Sequence, residues 1–355
     1  MKIGILTFHN IPNIGALLQA YALCTYIRNL GEKECYLLDY TCDNIKKREL
    51  IRAKKNNFIK DWVSKKIFWP RMEKKINLCQ AFMRDKGLYS EKCYRQMKRD
   101  IADDYDVFIS GSDMIWNLDV TDRDFSYFLG FLPCGKARYS YASSVGGEWQ
   151  KDDLQCIAEY LAEYRGLSTR ENDTAMVIQN NFELDCRVVP DPTMLLSADE
   201  WQKMTDSPTD NGYVLVYFPY SDILEAAKRY ARARKLKVIV IENSFRIPRS
   251  DIEFRPVYTP TEWLGLINNA EAVFTDSYHG FLFALYFNKN AWTANRNNRF
   301  VSIMERLKLE KCLIYNDHDF NNKIDYSLIN PQIAEVRKIG EKYIGWMLKD
   351  AATIL

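Results

Sequence analysis

The sequence predicts an α/β fold of parallel sheets with helices on both faces, repeated in two units. Three observations carry this. Short apolar runs alternate with helix-length periodic segments along most of the chain, the pattern of βαβ units. The length, 355 residues, suits two domains at roughly 150 residues each. Hydrophobic residues make up 47% and charged residues 27%, a balance that excludes disorder, collagen-like repeats and a bare coiled coil.

The elements follow in order. Lys2–Phe8 reads as a buried strand with branched residues. A loop with Pro12 and Gly15 leads to a helix over Ala16–Leu30, with apolar residues at 17, 18, 21, 22 and 27 and Gly31 as its stop. Cys35–Tyr40 is the next strand. Asp106–Ser110 is a strand that runs into Gly111-Ser112-Asp113. Ala137–Ala142, Gly166–Thr169 and Arg187–Val189 are shorter strands. The Asp, Ser, Pro, Thr and Gly of Leu196–Asn211 mark a linker. Beyond it, strands over Tyr213–Phe218, Lys237–Glu242, Ala272–Thr275 and Ala291–Thr293 alternate with helices over Asp222–Leu236, Thr261–Asn269, Gly280–Asn288 and Phe300–Leu307. A last helix runs from Gln332 to Ala351. The expected domains are 1–196, carrying a basic helical insertion over 43–100, and 197–355, ending in the long helix.

Charge is unevenly spread. Between Lys46 and Lys75, twelve Lys/Arg face three acids, an excess of nine positive charges, while the whole chain carries only +2. Phe58, Ile59, Trp62 and Val63 recur there at helical spacing. Such a stretch suits either a solvated helix packed on the domain below or a surface lying on an anionic membrane or glycan. The acidic remainder argues against nucleic acid. Nine scattered cysteines without a CxxC pair read as free thiols of a reducing compartment. Three histidines, none spaced with a cysteine pair, argue against structural zinc. The opening Met1-Lys2-Ile3-Gly4 runs straight into a strand, without a signal-peptide pattern, and no apolar run is long enough to span a bilayer. A cytoplasmic location is therefore expected, with peripheral contact at the inner face of the membrane left open.

Four loops follow strands, where open parallel sheets bind ligands. In the first, Asn13 is placed to cap a helix and Gly15 to admit close approach; a plain turn explains it equally. In the second, Ser112 and Asp113 precede Trp116, small polar residues beside an aromatic that suit a sugar rim, although N-capping accounts for part of this. In the third, Arg170 ends a short strand. It is suited either to grip a phosphate or carboxylate in bidentate fashion or to form an ion pair with Glu171 or an Asp. In the fourth, Thr275-Asp276-Ser277-Tyr278-His279-Gly280 delivers His279 to the start of a helix that is apolar nearly all round. A polar imidazole between two buried elements, at a helix end whose dipole favours a neighbouring anion, is a candidate acid/base group.

Together these stretches resemble the polysaccharide pyruvyl transferase family. The matching segments are 2–23, 106–117, 139–146, 167–172, 188–201 and 273–290, nearly the whole chain outside 43–100. The resemblance implies a glycosyltransferase-B-like architecture, with two Rossmann-like domains facing a cleft. It implies transfer of a pyruvyl group from phosphoenolpyruvate to a sugar of a bacterial surface polysaccharide, or of its lipid-linked precursor, as a cyclic ketal. Many members carry Arg-x-His at the fourth loop. Here Ser277 takes the first position, so an arginine contact to the donor must come from Arg170, Arg296 or Arg299.

The chemistry asks for one group that gives and takes a proton near neutral pH, which suits His279. It also asks for cations or N–H groups at both anionic ends of the donor. Arg170 is expected as that grip, helped by Ser277 and Gly280 at the helix start and by Arg296 and Arg299. Asn13, Gly15, Ser112 and Asp113 are expected on the acceptor side. No step calls for a metal, and phosphoenolpyruvate is a substrate, so no cofactor is implied. The alternatives are a nucleotide-sugar glycosyltransferase of the same architecture and a non-catalytic glycan-assembly protein.

Overall fold

The computed structural model describes residues 1–51, 66, 68–206, 210–219, 222–244, 246, 249–315, 320–321 and 323–355. The chain forms two compact units, one from Met1–Leu50, Met83–Leu196 and Ile333–Leu355, the other from Ile51–Phe82 and Ser197–Gln332.

In the first unit, β1 (Ile3–Leu6) lies at the centre of a parallel sheet with β2 (Cys35–Asp39), β3 (Tyr89–Cys93), β4 (Val107–Ser110) and β5 (Arg138–Ser140), in the order β3-β2-β1-β4-β5. Ile3 sits level with Cys35 on one side and Val107 on the other. The parallel pair β6 (Leu167–Thr169) and β7 (Cys186–Val188) continues beyond β5, through a bridge between Tyr139 and Gly166 and the bond from the Ser140 N–H to the Gly166 carbonyl, 3.0 Å. All four residues of β1 and of β4 are buried, as expected of parallel strands covered on both faces. Helix α1 (Ile14–Asn29) is buried along nearly every side as far as Cys24, so it lies under other structure rather than on the surface.

The segment 43–100 is only partly the expected helical insertion. It contains α2 (Asp43–Ile51) and α3 (Trp69–Asp85), but it ends in the strand β3 at the sheet edge. Residues 51–82 group with the second unit rather than the first. There the Lys74 ammonium lies 4.5 Å from the Tyr258 ring centre and the Cys79 thiol donates to the Tyr258 carbonyl at 3.6 Å. The aromatic spacing at Phe58, Ile59, Trp62 and Val63 lies outside the described residues.

The second unit repeats the plan. Strands β8 (Tyr213–Tyr217), β9 (Lys237–Ile241), β10 (Glu253–Arg255), β11 (Ala272–Thr275) and β12 (Asn290–Trp292) are all parallel, in the order β10-β9-β8-β11-β12. Helices α4 (Leu154–Leu161) and α5 (Asn172–Phe182) belong to the first unit. Helices α6 (Ile223–Arg234), α7 (Pro260–Asn269), α8 (Tyr278–Tyr286) and α9 (Asn298–Leu307) belong to the second. In each sheet the strand order reverses beside the central strand, between β1 and β4 and between β8 and β11. Ligand crevices open at such points.

The final helix corrects the expected domain 197–355. Helix α10 spans Tyr326–Ala352 and groups with the first unit from Ile333 onward. The reasons are local. The Arg337 guanidinium donates to the carbonyls of Met194 (2.6 Å) and Leu196 (3.0 Å). Tyr343 packs on Tyr141 with ring centres 6.2 Å apart. Asp350 pairs with Arg165 at 2.8 Å and accepts from the Tyr139 hydroxyl at 2.6 Å. All nine cysteines are free thiols, six of them buried. Among the described residues no His/Cys/Asp/Glu cluster has the make-up of a metal site, and no helix is long and apolar enough to cross a membrane.

Candidate functional site

In the second unit the chain leaves β11 through a short, fully braced turn. The Thr275 hydroxyl donates to the Tyr217 carbonyl at 2.6 Å and accepts from the Ser277 N–H at 3.0 Å. Ser277 then caps α8, its hydroxyl oxygen accepting from the Gly280 N–H at 3.2 Å. His279 is the second residue of α8 and is only 6% exposed. All nine residues of α8 are buried, so the imidazole is fixed where a buried strand passes into a buried helix.

The turn is tied to the next strand end. Asp276 accepts from the Thr293 hydroxyl (3.2 Å) and the Ala294 N–H (3.0 Å), and its carbonyl accepts from the Asn295 amide at 3.1 Å. Asn295 accepts from the Asn297 N–H at 3.0 Å, and Asn297 caps α9. This chain of bonds holds the start of α9 in register with the start of α8. Arg299, in the first turn of α9, has its guanidinium carbon 6.0 Å from the Tyr278 ring centre, and the Tyr278 and His279 rings are 5.6 Å apart. Ser277, His279, Gly280 and Arg299 are thus brought together. Arg296 lies on the same loop but is exposed, donates to the carbonyls of Ala294 (3.1 Å) and Ile314 (2.9 Å), and lies over Tyr315.

The first unit has its own switch point in strand order, between β1 and β4. The Asn13 side chain caps α1, accepting from the N–H groups of Gly15 (3.1 Å) and Ala16 (3.4 Å). Ser112 and Asp113 are buried. The Thr7 hydroxyl donates to the Ser112 carbonyl at 2.9 Å. The fully buried Gln19 joins the two strand ends: its amide donates to the Thr7 hydroxyl (2.9 Å) and the carbonyls of Phe8 and Ala16, while its oxygen accepts from the Ser112 N–H at 3.3 Å. His9, 1% exposed, donates from Nδ1 to the Thr7 carbonyl at 2.9 Å. Burial pushes its pKa down to about 4 against the attraction of Asp39 and that bond, so the ring is neutral at physiological pH. Neither Gln19 nor His9 stands out in the sequence. A glutamine in an apolar helix was the available signal.

Arg170 ends β6 in the first unit, and its charge is taken up inside the protein. Its Nη1 donates to Asp191 Oδ2 at 2.7 Å and its Nε to Glu171 Oε1 at 3.1 Å. Arg170, Glu171 and Asp191 are 4%, 3% and 1% exposed. Asp191 also accepts from the N–H and hydroxyl of Thr193, and Glu171 from the Ser144 hydroxyl. Of the two readings open to Arg170 in the sequence, the buried ion pair is the one observed here.

No curated protein matches this chain. Among solved structures, a S. aureus MnaA–UDP co-structure is similar with a TM-score of 0.51 and 13% identity, over 97% of this chain and 95% of that one. UDP-GlcNAc 2-epimerase from Neisseria meningitidis bound to UDP-GlcNAc is similar with a TM-score of 0.51 and 8% identity, over 99% and 100%. At such identity these likenesses show the fold alone, which is α/β, Rossmann-like in both units and glycosyltransferase-B-like. A sequence model of polysaccharide pyruvyl transferase matches residues 13–298, from the cap of α1 to the start of α9, and the chain belongs to that family.

Proposed function

We propose that this chain transfers a pyruvyl group from phosphoenolpyruvate to two hydroxyls of a bacterial surface saccharide, or of its lipid-linked precursor, forming a cyclic ketal and releasing phosphate. The observation that carries the reading is His279, a buried imidazole in the first turn of α8, at the crevice between β8 and β11. The donor has two anionic ends, and the positive end of the α8 dipole with the Arg299 guanidinium would favour one of them.

Protonated His279 gives its proton to the methylene carbon, which becomes the methyl group, leaving an oxocarbenium-like centre. A sugar hydroxyl adds to that carbon and returns its proton to His279. The carbon–oxygen bond to phosphate then breaks, and the second hydroxyl closes the ring as its proton leaves with phosphate. Asn13, Gly15, Ser112 and Asp113 would face the saccharide. Arg170, already paired with Asp191 and Glu171, would act by holding the end of β6 rather than as a free grip. The positive excess of 46–75 supports peripheral contact with an anionic inner membrane face, which would suit a lipid-linked acceptor.

The test is phosphate release from phosphoenolpyruvate across a panel of lipid-linked saccharides. His279→Ala is expected to cut turnover by about 10²–10⁴ with the fold intact. Near-wild-type turnover would remove His279 from the mechanism. A thermal-shift comparison separates the glycosyltransferase alternative: phosphoenolpyruvate should stabilise this protein, and a nucleoside diphosphate should not.

A further inference from the structure

The second unit holds a cavity of about 740 Å³ away from the turn that carries His279. Its walls are the carboxyl half of α6, the first residues of β9 and β10, and the segment leading into β10. The strands of this sheet are parallel, and His279 follows the carboxyl end of β11. The cavity therefore lies toward the opposite end of the sheet. Part of its lining is apolar: Val238 and Ile252 are buried, and Leu236 and Phe254 are half-buried.

The polar lining is mostly cationic. Lys228 and Arg232 come from α6, Lys237 from β9, and Arg246 and Arg249 from the segment before β10, against two acids, Asp251 and Glu253. The source is plain in the sequence, where Lys228–Lys237 holds six Lys/Arg and no acid. Both acids are already engaged. Asp251 lies between Lys228 (3.2 Å) and Arg249 (3.1 Å), and Glu253 pairs with Arg255. Arg246 is taken by Glu242 at 2.7 Å. Asp210 is held below the ordinary carboxylate range first by Arg255, its partner at 2.6 Å, and only more weakly by Lys237. Among the described residues, Arg232 and Lys237 form no ion pair. The negative end of the α6 dipole amounts to about half a charge, so it offsets only part of the excess. Exposed cations need no partner one by one, but several lining one concavity concentrate anions there.

We propose that this cavity binds a phosphate-bearing ligand, its phosphate held by Arg232 and Lys237 and its body resting on Leu236 and Phe254. A guanidinium fork matches phosphate oxygens in bidentate fashion, and an ammonium adds a point charge. The volume is in the range of small-ligand pockets, so either a free organic phosphate or a lipid head group would fit the chemistry. The site does not rest on the transfer reading above.

The experiment compares wild type with the double variant Arg232→Gln/Lys237→Gln. Both positions are exposed, so the core is untouched. Lys203→Gln, exposed elsewhere in the same unit, controls for the loss of charge as such. Inorganic pyrophosphate is titrated by calorimetry at fixed ionic strength, and sedimentation with phosphatidylglycerol and with phosphatidylcholine vesicles is measured alongside. Wild type, Lys203→Gln and His279→Ala should bind pyrophosphate alike. The double variant should bind it about 10- to 100-fold more weakly, the loss of one or two charged hydrogen bonds. Sedimentation with phosphatidylglycerol alone, lost in the double variant and competed away by pyrophosphate, would make a lipid head group the source. Sedimentation unchanged in the double variant, with pyrophosphate binding lost, would make it a free phosphate. The site is overturned if wild type binds no pyrophosphate, if the double variant binds it as tightly as wild type, if Lys203→Gln weakens it equally, or if binding depends on His279 instead.

Discussion

His9 gives the first unit a measurable sensitivity to acid. Its Nδ1 is committed to the Thr7 carbonyl, and burial pushes its pKa to about 4 from 6.5. An unfolded chain therefore binds a proton at His9 between those values while the native chain does not. The native state is favoured above pH 6.5, and that contribution is lost as pH falls toward 4, by about 3 kcal/mol in all. Urea unfolding at pH 7 and pH 5 should show a larger acid loss in wild type than in His9→Gln, which has nothing to titrate there. Equal losses would mean that the ring is not held neutral by its site. At this scale the sequence was partly legible. Ser277, His279 and Gly280 announce themselves, because a polar run between two apolar ones has few purposes. Arg170 does so only in part: its neighbour Glu171 is visible in sequence, but Asp191, which completes the buried pair, lies 21 residues away.

The turn between β11 and α8 has little room to spare. A Cβ on Gly280 would come within 2.9 Å of the Thr275 hydroxyl and 3.1 Å of the Tyr217 ring, the two groups that brace the turn. Gly280→Ala should therefore cost about 1–3 kcal/mol by overpacking and shift His279, lowering turnover. Gly345 is the contrast: it lies inside α10 with nothing within 4 Å of a Cβ, and Gly345→Ala should stabilise by roughly 0.5–1 kcal/mol. Denaturation curves of the two variants moving in the same direction would refute the steric account. The central strands and the helices beside them were legible because burial on both faces writes itself as apolar runs. Edge strands β3 and β10 were not. Tyr89-Ser90-Glu91-Lys92-Cys93 and Glu253-Phe254-Arg255 are short and charged, as sheet edges usually are, and so resemble loops. Helix α10 begins six residues before the expected start, with Pro331 inside its early turns.

The division of the molecule was the least legible feature. A boundary between Leu196 and Ser197 is signalled locally by polar and turn residues, and the chain does change unit there. Its return at Ile333 has no such signal, because one continuous helix carries it. What decides ownership is the buried face of α10: Ile344, Met347 and Ala351 are fully buried and Tyr343 nearly so, while Leu328, before the crossing, is 62% exposed. Met347→Ala should then cost about 2–5 kcal/mol by leaving a cavity, and Leu328→Ala almost nothing. The location of the loss is the sharper outcome. Domains with their own cores tend to open as separate units, so hydrogen exchange in Met347→Ala should accelerate in β1, β5 and β6 of the first unit and leave β8 and β11 of the second unchanged. Acceleration in the second unit instead would assign the helix to residues 197–332, as its position in the sequence suggests.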